Sequence, residues 1–274
     1  MKMTKKSSSI PVFQVDAFTE EPFGGNPAAV CLVDAFLPEE TMKKIAMEMN
    51  LSETAFLLGT PSGWSLRWFT PRVEVALCGH ATLSTAHIML QEGMLQQGHE
   101  AVFHTKSGPL SARAEDEWIV LDFPAKKVVP VAPPPGLIEA LGLERDEYLF
   151  CGKNKDDYLL ELPDEELVRS LDPDFVALSD VEARGTMVTA PSSRCEFDFA
   201  SRFFAPAVGV NEDPVTGSAH CALAPYWGKK LGKTLMNAEQ VSARGGVMLV
   251  EVQGERVLLR GKAVTVFRGE MTVS

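Results

Sequence analysis

The sequence predicts an α+β fold made of two similar halves, each a curled sheet packed against one principal helix. Three observations favour this class. A short phrase occurs twice, about half the chain apart. A segment with five prolines, residues 124–136, separates two patterned regions. Short strand-like runs do not alternate regularly with helices, as they would in a doubly wound parallel sheet.

The repeated phrase combines an arginine, aromatic residues and a proline with a glycine that follows later. RWFTP occupies residues 67–71 and RFFAP occupies residues 202–206, 135 positions apart in a chain of 274 residues. Seven residues separate the first proline from Gly79, and ten separate the second from Gly217. Each copy is typical of an aromatic strand, a loop and the start of a helix rich in small residues. The repeat therefore predicts two similar domains whose helix starts meet at one cleft.

Short strands surround two helices in the first half. Met42, Ile45 and Met49 form a stripe that predicts a helix over residues 38–49. A second helix is predicted over residues 79–91, because Gly93 ends the pattern. Strands are predicted at 12–18, 28–33, 53–58 and 66–70, and around Val102, Ala112 and Val120.

The second half repeats this general order. Its principal helix is predicted from Gly217 to about residue 230, where Pro225 would bend it. Three strands follow over residues 245–267. The predicted domains are residues 11–125, joined by a last strand at about 264–274, and residues 126–263, with the active site in the cleft between them.

Composition excludes several classes of function. The net charge of −11 and the lack of a basic stripe argue against nucleic acid as a partner. No apolar run approaches the 18 or so residues of a membrane span. Five scattered cysteines without a CxxC pair argue against a disulfide framework and a structural zinc site, and predict a cytoplasmic protein. Residues 1–10 are expected to be a frayed tail rather than a secretion signal.

The glycine-led helix starts are the first candidates for a site. Gly79 would let a ligand approach the backbone, and the unpaired N–H groups favour a carboxylate. The helix dipole would lower the pKa of His80, which suits proton transfer by a neutral imidazole. In the second copy, Asp213 could relay a proton while Ser218 and the backbone amides hold a substrate oxygen. Tight packing and ordinary helix capping remain alternatives for both copies.

Glu53 is the third candidate, because it is a carboxylate entering an apolar strand. Such a group can serve as a general acid–base, although most strand glutamates face solvent. His80 and His87 would share a helix face, but without a third ligand no metal is predicted. Cys78 could be a nucleophile or a small buried residue. No GxGxxG or GxxxxGK pattern occurs, and no cofactor is expected.

Several ordered motifs together resemble the PhzF (phenazine biosynthesis-like) family, within the diaminopimelate epimerase-like superfamily. They run from about residue 12 to the C-terminal strands. The motifs are DAF at 16–18, GNPAAV at 25–30, NLSET at 50–54, FTP at 69–71, CGHAT at 78–82 and EDPVTGSAH at 212–220.

The resemblance implies two pseudo-symmetric domains, each a barrel-like sheet around a central helix, and a homodimer. It implies a cofactor-free isomerase that moves a proton on a small anionic substrate bearing a carboxylate, as the best-understood member does on a cyclohexadiene carboxylate. Glu53 would be the principal acid–base. The other implied site residues are His80, Asp213 and Ser218, which would bind and assist, and the binding positions Asn26, Gly79, Ala81, Gly217 and Ala219.

Two alternatives stay open. A protein of the same fold could bind a ligand without turning it over. Related epimerases use two opposed cysteines, and Cys78 stands near the first thiol position. No cysteine precedes Gly217, and Cys221 lies one turn inside the helix. A two-thiol racemase is therefore disfavoured, and an amino-acid epimerase using Cys78 alone is the weaker alternative.

Overall fold

A computed structural model describes residues 8–273, which divide into two compact units. The first unit contains residues 8–121 and 261–273, and the second contains residues 122–260. Residues 1–7 of the expected tail lie outside the described part of the chain. Residues 8–10 are not a tail, since they begin a strand. Within residues 8–273, no helix is both long and apolar enough to span a membrane.

The first unit is built from short strands and two helices that lie close to the predicted positions. The helices are α1 (Glu39–Met49) and α2 (Gly79–Gln91). The strands are β1 (Ser8–Ala17), β2 (Asn26–Val33), β3 (Glu53–Thr60), β4 (Gly63–Phe69), β5 (Glu74–Val75), β6 (Glu100–Thr105), β7 (Gly108–Glu115) and β8 (Trp118–Pro124).

The second unit has more short helices. They are α3 (Leu137–Ala140), α4 (Glu165–Ser170), α5 (Phe175–Ser179) and α6 (Gly217–Leu231), with a 3₁₀ turn at Pro206–Val208. The strands are β9 (Val129–Pro130), β10 (Phe150–Lys153), β11 (Asp157–Glu161), β12 (Gly185–Pro191), β13 (Phe199–Ala205), β14 (Val210–Glu212), β15 (Leu235–Gln240), β16 (Gly246–Gln253) and β17 (Arg256–Gly261). The chain then returns to the first unit as β18 (Ala263–Val273), which pairs antiparallel with β1.

The two units share one order of strand pairing. In the first, β2 and β3 are parallel, β3 and β4 are antiparallel, and β4 and β6 are parallel across α2. In the second, β11 and β12 are parallel, β12 and β13 are antiparallel, and β13 and β15 are parallel across α6. Because parallel neighbours need a crossover, each unit carries its long helix between two parallel strands. The repeated phrase in the sequence thus corresponds to a repeated β–β–α substructure.

Helix α2 is the central helix of the first unit. It contacts β1, β2, β3, β7 and β18, so strands surround it. A helix in such a position must be apolar or internally satisfied on every face. Its threonines meet this condition, because Thr82 and Thr85 donate their hydroxyls to the carbonyls of Cys78 and Ala81 one turn earlier.

The turn before β2 depends on a glycine. Gly25 has a φ of 60°, and a Cβ placed there would lie 2.1 Å from the carbonyl oxygen of Ala17. The Asp16 carboxylate also holds this turn, by accepting the N–H of Phe23 at 2.7 Å. Only glycine satisfies both the left-handed backbone and the close approach.

Gly25→Ala should destabilise the protein more than Gly93→Ala. Gly93 has a φ of 72° with nothing within 4 Å of an added Cβ, so its variant reports the backbone penalty alone. That penalty is about 1–2 kcal/mol, and the clash with Ala17 adds about 1–3 kcal/mol. Urea unfolding monitored by circular dichroism measures both, and equal losses would contradict this explanation of the turn.

Candidate active site

The first candidate site is built at the start of α2. Cys78 precedes the helix in an extended conformation and makes no side-chain capping hydrogen bond. The first N–H groups of α2, from Gly79 onward, therefore keep their ability to bind an anion. Gly79 is the position at which a ligand meets no Cβ.

Glu53 is positioned by the end of α1 and the start of β3. Asn50 ends α1 in the left-handed conformation and donates its N–H to Ala46. Three residues later Glu53 opens β3, where it pairs with Ala28 of the parallel strand β2. Asn26 lies two residues before Ala28 and is fully buried, so Asn26 and Ala28 face the same side of β2.

Glu53, His80 and Cys78 meet around the imidazole ring. The Nε2 atom of His80 lies 3.2 Å from Oε2 of Glu53, an ion-pair distance without the alignment of a hydrogen bond. The Nδ1 atom of His80 lies 3.6 Å from the Cys78 sulfur. The side chain of Glu53 is 18% exposed and that of His80 is 7% exposed. Glu53 is therefore the member of the pair that a ligand reaches more easily.

The charge state of His80 differs from the prediction. Burial opposes the imidazolium, but the adjoining Cys78 and Glu53 outweigh it and raise the pKa of His80 well above 6.5. The predicted lowering of the His80 pKa by the helix start is therefore wrong. Burial, with a contribution from Glu53, raises the pKa of the Cys78 thiol to about 11. The raised pKa of His80 favours its imidazolium form, which faces Glu53.

The same three side chains are the candidate for a metal site. Their ligand atoms all lie within 4.8 Å of one another. However, Cys78 approaches Nδ1 of His80 and Glu53 approaches Nε2, and a single ion binds an imidazole through one nitrogen only. All three could ligate one ion only after the ring turned. His87, which the sequence paired with His80, instead contacts Thr265 at 3.0 Å.

An arginine–glutamate pair holds the loop that leads into α2. Arg67 donates from Nε and Nη2 to both carboxylate oxygens of Glu74, at 2.8 Å each, and its guanidinium lies 5.2 Å from the centre of the Phe69 ring. The second unit repeats the arrangement. Arg202 donates to Glu212 at 2.7 and 3.0 Å and lies 4.8 Å from the centre of the Phe204 ring.

The second candidate site lies at the start of α6. Thr216 precedes the helix and makes no side-chain cap. Its hydroxyl donates to Oδ2 of Asp213 at 2.6 Å, and its N–H donates to Gln240 at 2.8 Å. Gln240 also donates to the carbonyl of Asp213 at 2.6 Å. The Asp213 carboxylate is thus held in front of the helix, and Thr216 does not provide the capping that its residue type favours.

The remaining predicted residues of this site are the first three of α6. Gly217 and Ala219 are buried and Ser218 is partly exposed. Ser218 Oγ accepts a hydrogen bond of 3.2 Å from Arg184. No sequence pattern identified Arg184, because it lies 34 positions before Ser218. Its position before Gly185, the first residue of β12, does not by itself indicate a function.

The structure distributes the predicted residues over its two units. Asn26, Glu53, Gly79, His80 and Ala81 belong to the first, and Asp213, Gly217, Ser218 and Ala219 belong to the second. Each set gathers around the start of its long helix. The histidines of the two copies also differ. His220 bonds the carbonyl of Thr216 through Nδ1 at 2.8 Å, and burial lowers its pKa to about 4, so it is neutral.

Comparisons with known proteins confirm the resemblance carried by the motifs. A family model described as PhzC-PhzF, phenazine biosynthesis-like protein, matches residues 15–269. An uncharacterized isomerase of Pseudomonas aeruginosa is 51% identical over 263 residues, which cover 96% of this chain and 98% of the relative.

Solved structures confirm the fold class. A PhzF-family protein of Enterococcus faecalis matches with a TM-score of 0.92 and 42% identity, over 97% of this chain and 100% of the other. A hydroxyproline epimerase of Agrobacterium vitis matches with a TM-score of 0.62 and 10% identity, over 98% of this chain and 94% of the other. The second match is a likeness of fold alone.

The raised pKa of His80 predicts a pH-dependent contribution to stability. A pKa raised above 6.5 in the folded state stabilises the protein fully below pH 6.5, and this stabilisation is lost as pH rises through the folded-state pKa. The stability difference between wild type and His80→Gln should therefore be largest near pH 6 and shrink toward pH 9. Urea unfolding at each pH measures this difference.

His87→Gln is the matched control. Burial and the nearby charge of Arg268 lower the pKa of His87 to about 4, so His87 is neutral in the folded state across the same range. Its variant should differ from wild type by a constant amount above pH 7. A difference for His80→Gln that is equally constant would contradict the charged state of His80.

Proposed function

Because this chain belongs to the phenazine biosynthesis-like (PhzC-PhzF) protein family, whose curated relatives at about half identity are isomerases, we propose that it is a cofactor-independent isomerase of a small carboxylate. The reaction that we propose moves a proton from one carbon of the substrate to another. Glu53 carries that proton. The observation that supports this role is the ion pair between Glu53 and a buried, positively charged His80.

The proposed proton transfer needs no external reactant. A carboxylate oxygen of Glu53 accepts the proton of an acidic C–H bond, and the electron pair of that bond delocalises over the adjacent unsaturated carbons. Glu53 then returns the proton at a different carbon, so that atoms and charge balance. A general base positioned in this way contributes about 10²–10⁴-fold to a rate.

His80 supports this chemistry through its charge. An imidazolium next to the reacting centre stabilises negative charge that develops on the substrate, and it does so in a site that excludes most water. The N–H groups at the start of α2 add partial positive charge in the same place. We propose that the substrate carboxylate binds these groups, with Gly79 and Ala81 at the contact and Asn26 nearby.

Asp213 and Ser218 are the residues of the second unit that we propose to assist. Ser218 follows the uncapped helix start and is partly exposed between the buried Gly217 and Ala219. Asp213 is fixed by Thr216 and offers a second carboxylate for a proton relay. Their contribution is to bind the substrate and to assist the transfer.

The state of Cys78 argues against the epimerase alternative. A thiol must ionise before it can remove a proton from carbon, and the pKa of Cys78 is raised to about 11 by burial. Glu53 is more exposed than Cys78 and is the base that we propose instead. We therefore assign Cys78 to the support of His80.

Glu53→Gln should abolish hydrogen exchange at carbon. We expect wild type to introduce deuterium into 2,5-cyclohexadiene-1-carboxylate in D₂O, because its C–H bond lies between two double bonds and the carboxylate. Proton NMR and mass spectrometry follow the exchange. The variant should be slower by at least about 100-fold, because its amide cannot accept the proton.

Glu48→Gln is the matched control, since Glu48 is an exposed residue of α1 and the change is the same. It should exchange like wild type, and Cys78→Ala should retain most of the activity. Exchange that persists in Glu53→Gln would contradict the role of Glu53. Binding of the probe without exchange by wild type would favour the non-catalytic alternative.

A further inference from the structure

Arg184 is fixed by a fully buried carboxylate. Its Nε and Nη2 atoms donate to the two oxygens of Asp157, at 2.7 and 2.5 Å. Asp157 is 0% exposed and is itself held in its turn, because its N–H donates to Asn154 at 2.8 Å. A two-point contact of this kind fixes the plane of the guanidinium as well as its position.

An aromatic ring supports the guanidinium from another side. Arg184 lies 5.5 Å from the centre of the Phe203 ring. The ring can lie there because the next residue is Gly185, where an added Cβ would be 2.4 Å from the Phe203 ring and 2.8 Å from the Phe204 carbonyl. The orientation of Arg184 is therefore specified by several residues of β11, β12 and β13.

The oriented guanidinium meets Ser218 at the start of α6. Nη2 of Arg184 lies 3.2 Å from Ser218 Oγ. An arginine has donors only, so the serine oxygen must accept in this contact. The hydroxyl hydrogen of Ser218 then points away from Arg184, and the hydroxyl donates no hydrogen bond to any other group of residues 8–273.

The charges around Arg184 do not form a cationic pocket. Asp157 binds Arg184 directly, Asp156 pairs with Lys126 at 3.2 Å, and Asp213 adds a third carboxylate to the charges that Arg184 experiences. These carboxylates balance the positive charge of Arg184, so its guanidinium acts here as an oriented hydrogen-bond donor rather than as part of a cationic pocket.

We propose that Arg184 is a positioning residue that holds the Ser218 hydroxyl so that its hydrogen is donated to an acceptor oxygen of the substrate. The substrate of the proposed function carries acceptor oxygens, and in this respect the inference rests on that function. Arg184 acts through Ser218 and needs no contact with the substrate itself.

A double-mutant cycle tests this coupling. The probe is 2,5-cyclohexadiene-1-carboxylate, and its Kd is measured by calorimetry for wild type, Arg184→Met, Ser218→Ala and the double variant. Each single variant should bind about tenfold more weakly, which is the worth of one hydrogen bond to a charged acceptor. The double variant should be no weaker than Ser218→Ala, because Arg184 acts only through the hydroxyl.

Arg184→Met leaves Asp157 as a buried charge and can unfold the unit. The variant that combines Asp157→Asn with Arg184→Met removes both charges. With Ser218 present, it should bind the probe about tenfold more weakly than wild type. In the Ser218→Ala background, the same two changes should leave the Kd of Ser218→Ala unchanged. Circular dichroism checks that each variant is folded.

The binding cycle is independent of the proton transfer at Glu53. The four proteins of the binding cycle all keep Glu53, so a failure of the isomerase proposal appears in the exchange assay and a failure of the Arg184 proposal appears in the coupling between the Kd values. Losses that add in the double variant, unchanged binding by Arg184→Met, or no binding of the probe by wild type would each overturn the inference.

Discussion

The arginine that opens each repeated phrase forms a bidentate pair with a glutamate beyond the proline, and both helix starts depend on this interaction. Arg67 with Glu74 and Arg202 with Glu212 have the same geometry, and each arginine also lies over the aromatic residue two positions later. In both copies the glycine that opens the helix lies five positions after the glutamate. The difference between the two copies therefore lies before the glutamate, where the second contains the 3₁₀ turn Pro206–Val208. A fixed glutamate and a fixed spacing place each helix start in the same way.

The side chains beside the two helix starts differ, and this difference determines what each site can do chemically. Both helices begin without a side-chain cap, so both present backbone N–H groups. At α2 the neighbours are a charged imidazole and a carboxylate. At α6 they are a hydroxyl that accepts from an arginine and a carboxylate held by Thr216. One backbone design thus supports an acid–base pair in one unit and a hydrogen-bonding arrangement in the other.

The histidines of the two copies show the same divergence in their electrostatics. His80 lies beside Glu53 and is charged, whereas His220 hydrogen-bonds a backbone carbonyl and is neutral. Burial opposes the charged form of both rings. Cys78 and the Glu53 carboxylate reverse that effect in one unit, and within residues 8–273 no carboxylate bonds to the His220 ring in the other. The residue type alone therefore does not determine the role of a histidine at a helix start.

Local patterns were sufficient for most of the fold. The bounds of α2 could be predicted because Gly79 and Gly93 enclose it, and β16 and β17 could be predicted because glycines separate them. The site required more, since its key contacts join residues that are distant in sequence. Glu53 and His80 could be named from their motifs, but the charge of His80 depends on a contact across 27 positions. The contact of Arg184 with Ser218 spans 34 positions and leaves no periodic trace.

The central claim is that Glu53 and His80 form a charged pair, and nitrogen NMR of the His80 ring tests it most directly. In wild type, both ring nitrogens should carry protons at pH 7, and the ring should lose a proton only well above its usual pKa of 6.5. In Glu53→Gln the pKa of His80 should fall, because the carboxylate no longer offsets burial. A neutral His80 at pH 7 in wild type, or a titration that is the same in both proteins, would contradict the account.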